Sequence, residues 1–167
     1  MNFGLAIFPT DEGLRPDELA RLAENRGFES LFFPEHSHVP ASRESHINPS
    51  RGELGPEYSR MFDPFRAPSL AAGATETLKL STGICPVIER DPIHTAKSVA
   101  SLEYLSPGRF QFGIGAGWNL EEMRNHGTDP RRRFTRMREH GEAMKAIWTC
   151  REASYGGEFV QFDRIWA

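Results

Sequence analysis

The sequence predicts an α/β fold with a parallel sheet covered by helices, on three observations. Short apolar runs alternate with amphipathic stretches along most of the chain. The first run, the helical pattern after it and the second run fit within about 30 residues, the length of a βαβ unit. The 167 residues, 38% hydrophobic, are close to the usual size of one domain and suffice for a sizeable core.

Each element follows from local chemistry. Residues 3–8, Phe3-Gly4-Leu5-Ala6-Ile7-Phe8, are an apolar run bounded by Pro9 and read as a buried strand. Pro16 opens a helix because its missing N–H is not needed in a first turn, and Asp17 and Glu18 favour that positive end. Leu19, Leu22 and Ala23 give it one apolar face, and Gly27 is placed to end it. Phe28 to Phe33 is the second strand.

Residues 34–61 then turn irregular, with Pro40, Pro49, Gly52, Gly55 and Pro56 among charged and small residues. A connection longer than about 15 residues predicts a functional loop or lid. Helical patterning returns over 64–75, a third strand follows over 78–84, and a helix over 91–105 carries Ile93, Ala96, Val99, Ala100 and Leu102 mostly toward one side. Ser106-Pro107-Gly108 stops it, and 109–114 makes a fourth strand. Met137, Gly141, Met144 and Trp148 stripe a helix over 133–149, and 155–165 alternates around Gly156-Gly157 as a hairpin. The alternation fits either a small open sheet or half of a (β/α)8 barrel, since a complete barrel takes about 250 residues.

The composition narrows the function. Charged residues make up 26% and the net charge is −3, so no basic surface points to nucleic acid. No stretch approaches the roughly 20 apolar residues of a membrane span. The N-terminus lacks the basic region and cleavage site of a secretory signal, and a cytoplasmic location is expected. Cys85 and Cys150 lie far apart and predict no disulfide framework. This composition leaves a small-molecule substrate open as a partner.

In parallel α/β folds the chemistry sits at the C-terminal ends of the strands. Strand 2 ends in Pro34-Glu35-His36-Ser37-His38. Histidine is the side chain suited to exchanging protons near neutrality, so His36 is a candidate proton donor or hydrogen-bond partner. On an extended backbone His36 and His38 face one ligand and Glu35 points away. No third ligand stands at a recognisable spacing, so no metal site is expected. Strand 3 leads through Gly83-Ile84-Cys85-Pro86 to Glu89-Arg90-Asp91. Arg90 beside a helix start is a candidate anion contact, or a salt-bridge partner of Glu89 or Asp91. Strand 4 ends in Gly113-Ile114-Gly115-Ala116-Gly117-Trp118-Asn119. Glycines at alternate positions let a planar or phosphorylated ligand approach the backbone, or relieve crowding inside a tight barrel. Their spacing is not the dinucleotide fingerprint.

These segments carry a family resemblance. Gly27-Phe28-Glu29-Ser30-Leu31 running into Pro34-Glu35-His36, Leu80-Ser81-Thr82-Gly83-Ile84, Arg90-Asp91-Pro92 through Leu105-Ser106-Pro107-Gly108-Arg109-Phe110, and the strand-4 glycine run resemble luciferase-like flavin or deazaflavin oxidoreductases. The resemblance covers nearly the whole chain and is nearest to the branch dependent on coenzyme F420. It implies the N-terminal half, about four βα units, of a (β/α)8 TIM barrel, with residues 1–167 as one partial barrel domain. It further implies an oxidoreductase using F420, with FMN-dependent monooxygenation as the alternative, and a homo-oligomer, usually a dimer.

By the same resemblance His36 is the active-site histidine. Thr82, Gly83, Ile84, Gly115, Ala116, Gly117 and Trp118 bind the cofactor, and His38 and Arg90 contact substrate or an anion. Gly83-Ile84 matches a position where members carry a non-prolyl cis peptide. One departure stands out: Trp118 occupies a position where some deazaflavin dehydrogenases carry a proton-handling glutamate, which leaves Glu121 or Glu122 to compensate. Relatives continue into a fifth strand and beyond. The 167 residues are therefore expected to be a truncated record of an enzyme, a half-barrel that assembles with another copy, or a non-catalytic cofactor-binding or oligomerising remnant.

Overall fold

The computed structural model of the chain describes residues 1–41, 45 and 54–167. Six parallel strand segments lie at its centre: β1 (Gly4–Ala6), β2 (Ser30–Phe33), β3 (Lys79–Thr82), β4 (Cys85–Pro86), β5 (Phe110–Gln111) and β6 (Ile114–Gly115). The order β1-β2-β3-β5 makes one parallel sheet, and β4 and β6 pair beyond it as a second parallel ladder. Among the described residues six α-helices connect and cover them: α1 (Pro16–Asn25), α2 (Glu57–Arg60), α3 (Arg66–Ala74), α4 (Pro92–Leu105), α5 (Leu120–Asn125) and α6 (Arg133–Thr149). An antiparallel hairpin, β7 (Ala153–Gly156) and β8 (Gln161–Ile165), follows α6 and begins two residues before the expected hairpin at 155–165.

Sequence-local signals set the helix ends. Pro16 occupies the first turn of α1, and Gly27 follows the helix at φ +78°, a conformation that costs glycine little. Asp91 caps α4 by accepting the His94 N–H at 2.7 Å, and Asn119 caps α5 by accepting the Glu122 N–H at 3.1 Å.

Strand alternation divides the side chains between two faces. Leu31, Phe33 and Leu80 point to the helices and are fully buried against Leu19, Ala20 and Ala23 of α1 and Ala67 and Ala71 of α3. Burying each such large side chain contributes about 1.5–3 kcal/mol. A second cluster joins Cys85 and Val87 to Ala96 and Val99 of α4 and Met144 and Ile147 of α6. On the opposite face the strands approach closely: a Cβ on Gly4 would lie 2.6 Å from Ser30 Oγ.

The strand expected over 78–84 ends at Thr82, the one expected over 109–114 breaks after Gln111 into β5 and β6, and two further expectations change. The strand at 3–8 shortens to Gly4–Ala6 and is not buried, because β1 is an edge strand with only β2 beside it. The expected loop 34–61 lies partly outside the described residues, at 42–44 and 46–53, and its described end carries the single-turn helix α2. No described helix is long and apolar enough to cross a membrane.

Candidate active site

At the C-terminal end of the strands, the segment after β2, the turn after β4 and the start of α5 close around a cleft of about 220 Å³. Its apolar walls are Phe8, Pro34, Ile84, Pro86 and Trp118, and its polar groups include His36, Tyr58, Glu89 and Glu122. Gly83 and Ile84 form its floor and are joined by a cis peptide bond.

His36 is held from both sides. Its Nδ1 lies 2.6 Å from Glu122 Oε2, and its Nε2 lies 3.2 Å from the Trp118 indole nitrogen. An indole N–H can only donate, so Nε2 accepts and the imidazole proton sits on Nδ1, donated to the carboxylate. The other Glu122 oxygen, Oε1, accepts the Ser37 N–H at 2.7 Å and the Ser37 hydroxyl at 3.2 Å. Glu122 is almost fully buried. Burial works against its charge, but the His36 contact and the Ser37 and His38 N–H groups outweigh that and hold its carboxyl below the usual range.

Two other carboxyls behave oppositely. Burial pushes Glu35 up, and Arg90 only partly offsets it. Arg90 Nε donates to Glu35 Oε1 at 2.6 Å, its Nη2 donates to Asp63 Oδ2 at 2.8 Å, and its guanidinium lies over the Phe65 ring. Glu89, on the 3-10 turn Val87–Glu89, is pushed up to about 8, first by burial and then by the charges of Glu122 and Glu35. Its Oε2 is buried with no hydrogen-bond partner.

Of the residues singled out from sequence, the cleft brings together His36, Gly83, Ile84, Gly117 and Trp118. The others stand elsewhere. Thr82 is buried and donates to the Gly113 carbonyl at 2.7 Å. Ala116 packs with Ile88 and Met123. His38 turns away from the cleft, with Nδ1 2.8 Å from Ser37 Oγ and Nε2 2.9 Å from Asn125 Nδ2. Glu35, expected to point away, lines it. The alternation expected of His36 and His38 fails because Glu122 gathers the N–H groups of this segment and curls it out of an extended path. Arg90 is engaged by Glu35 and Asp63, whereas the sequence had suggested an open anion contact or a bridge to Glu89 or Asp91.

The glycine run divides by cause. A Cβ on Gly113 would sit 2.3 Å from the Thr82 carbonyl oxygen, and one on Gly115 would sit 2.7 Å from Ile84 Cδ1. Both positions relieve crowding within the fold. Gly117, at φ +70°, lines the cleft itself.

Phe8, Tyr58 and Glu89 complete the site without having been assigned to it from sequence, and of Glu121 and Glu122, the two carboxyls expected to compensate for Trp118, Glu122 is the one that lines it. Asn119 is the signal that could have found Glu122: a cap at that position starts a helix and turns its first-turn carboxylates toward the strand ends. Among the described residues no group of His, Cys, Asp and Glu is placed to hold a metal ion. The lining suits a planar conjugated ring: Phe8, Pro34, Ile84, Pro86 and Trp118 offer apolar surface, Ile84 is 39% exposed, and the Glu89 carboxyl adds a polar group. The volume falls below the roughly 300–1,000 Å³ of a complete ligand pocket, so these residues supply part of one.

Comparison with known proteins identifies the family and the fold. The family profile described as luciferase-like monooxygenase matches residues 15–166. An uncharacterized protein of Mycobacterium tuberculosis is 43% identical over 170 residues, covering 100% of this chain and 60% of that protein. An F420-dependent glucose-6-phosphate dehydrogenase of Nocardia farcinica is 32% identical over 151 residues, covering 86% of this chain and 40% of that enzyme. Among solved structures, a monooxygenase from Streptomyces bottropensis superposes with a TM-score of 0.80 at 24% identity, over 99% of this chain and 48% of that one. The chain thus spans about half of the luciferase-like barrels whose fold it shares.

Proposed function

The chain belongs to the luciferase-like monooxygenase family, and from that membership we propose that it is the ring-facing half of an oxidoreductase that uses deazaflavin F420 with a small organic substrate. The observation that carries this reading is the apolar cleft over Gly83–Ile84, with His36 fixed in one tautomer at its side. The F420-dependent relative supports deazaflavin as the cofactor. The substrate is a neutral or weakly polar molecule of modest size, in keeping with walls that are mostly apolar.

When bound, the deazaflavin ring supplies or takes up a hydride. Ile84, Pro86 and Trp118 give the ring apolar surface and exclude water. Gly117 leaves room at its edge, and Gly115 lets the Ile84 side chain lie flat against the strand. Trp118 covers the lone pair of His36 Nε2. A substrate hydroxyl that replaces the indole N–H meets that lone pair as a base. The Glu122 carboxylate then stabilises the imidazolium that forms. Thr82, Ala116, His38 and Arg90 act behind this surface by holding the strands and the segment after β2 in place.

One observation favours FMN-dependent monooxygenation as a second reading: Trp118 stands where some deazaflavin dehydrogenases, by family resemblance, carry a glutamate. The open edges β1 and β5 support assembly with a second copy, which solution mass measures. Titration of the purified chain with F420 and with FMN, followed by cofactor fluorescence, tests the reading. Saturable binding with F420 preferred at least about tenfold, or about 1.4 kcal/mol, supports it. Preference for FMN favours monooxygenation, and no binding of either by a folded chain leaves a non-catalytic half-barrel.

A further inference from the structure

The cleft contains a carboxyl group that the site as described leaves without a task. Glu89 projects from the turn after β4 to a point where its Oε1 would lie 3.7 Å from a Cβ on Gly117, the glycine of the cleft wall. Its Oε2 is buried and lacks a hydrogen-bond partner. Arg90, the adjacent cation, is turned to Glu35 and Asp63 and makes no hydrogen bond or ion pair with it. A buried carboxylate without a cation or donor is expensive, whereas a buried carboxylic acid needs only an acceptor.

We propose that Glu89 stands in the cleft as a neutral carboxylic acid whose Oε1, the oxygen on the Gly117 side, donates a hydrogen bond to the carbonyl-bearing edge of the bound deazaflavin or flavin ring, while the buried Oε2 is left as the uncharged carbonyl oxygen. This rests on the reading of the cleft as a ring site. The groups around Glu89 act together. From the segment after β2, Glu35 acts on it as a negative charge, and His36 lines the same cleft. From α5, Glu122 faces it as a carboxylate, and from its own turn Arg90 offsets part of their repulsion. Tyr58 of α2 lines the cleft as well. The net field of the carboxylates, added to burial, keeps the proton on Glu89 up to a pH of about 8.

The arrangement also determines specificity. A carboxylic acid rewards a lone pair and offers nothing to an anion, and the two neighbouring carboxyls repel one. The cleft therefore selects the uncharged, carbonyl-bearing edge of a ring over a phosphate or carboxylate group. Negative parts of a cofactor are left to other residues.

Infrared difference spectroscopy on the 167-residue chain tests this without turnover. The wild type is expected to show the carbonyl band of a protonated carboxyl at pH 7, lost with a midpoint near 8 and absent from E89Q. Addition of oxidised F420 should move that band to lower frequency as the hydrogen bond forms. In parallel, F420 affinity measured by fluorescence should fall about tenfold between pH 7 and pH 9 in the wild type, as Glu89 ionises, and stay level in E89Q, whose amide still donates. No protonated band at pH 7, or a band that persists in E89Q, overturns the proposal. So does a band that F420 binding leaves in place. Failure of F420 and FMN to bind at any pH removes the ring-site reading and the donor role together, whereas binding with an unmoved band removes the donor role alone.

Discussion

Replacing Glu122 by glutamine perturbs the site at its most connected atom pair. The carboxylate accepts the His36 Nδ1–H at 2.6 Å through Oε2 and the Ser37 N–H at 2.7 Å through Oε1. An amide keeps one acceptor and presents an NH2 group to the other donor. If the NH2 faces His36, the imidazole must move its proton to Nε2, where it meets the Trp118 N–H. If it faces Ser37, a backbone N–H is left buried against a donor. Hydrogen bonds to charged groups contribute about 1.5–3 kcal/mol each, and one of the two is lost in either orientation. Removing the charge also relieves its repulsion of Glu89, which offsets a little at alkaline pH. The expected loss is about 2–3 kcal/mol at pH 7, read by urea unfolding at fixed protein concentration. Nitrogen NMR of the imidazole should show Nδ1–H in the wild type and a changed tautomer or a mixture in E122Q. A loss below about 1 kcal/mol with the Nδ1–H tautomer retained would refute the reasoning.

The other expectations concern single contacts. Glu89 holds a proton in the folded chain between its ordinary 4.5 and about 8 that the unfolded chain lacks, so its linkage lowers stability as pH rises through that window. E89Q removes that slope, and unfolding at pH 9 should find it more stable than the wild type by roughly 2–4 kcal/mol; an equal or smaller stability there sinks the assignment. R90M leaves Glu35 buried beside Asp63 without a cation and should cost about 3–5 kcal/mol in urea, against under 1 if the triad is idle. G113A drives a Cβ to 2.3 Å from a backbone oxygen and should destabilise by at least about 3 kcal/mol, while G73A, in the last turn of α3 with nothing within 4 Å, should stabilise by about 0.5 kcal/mol. Thermal scans of the two variants should separate in opposite directions from the wild type.

Much of this architecture is written in local patterns. The helix expected over 133–149 has those bounds in α6, because its apolar stripe and its ends depend on neighbouring residues only. Gly83–Ile84 was expected as a cis step from family resemblance and is cis. What local reasoning missed depends on distant contacts. His36 and Glu122 are 86 positions apart, and nothing in periodicity says that a six-residue helix will turn that carboxylate onto that imidazole. Arg90 looked like a partner for the acids on either side of it, but the fold brings Glu35 and Asp63 to it and leaves Glu89 with its proton. The edge position of β1 is likewise a property of the sheet order, invisible in an apolar run. For Gly113 and Gly115 the sequence leaves open a ligand cradle or relief of crowding, and only placing the strands shows Thr82 and Ile84 in the space.

The central claim is that the cleft over Gly83–Ile84 receives the cofactor ring, and one paired titration addresses it. Ile84 is 39% exposed, so I84E places a charge on the cleft floor without emptying the core. The account predicts saturable F420 fluorescence changes with the wild type and a loss of affinity of at least about tenfold, or 1.4 kcal/mol, in I84E at unchanged circular dichroism. Equal F420 binding by both proteins, or binding by neither, would contradict it.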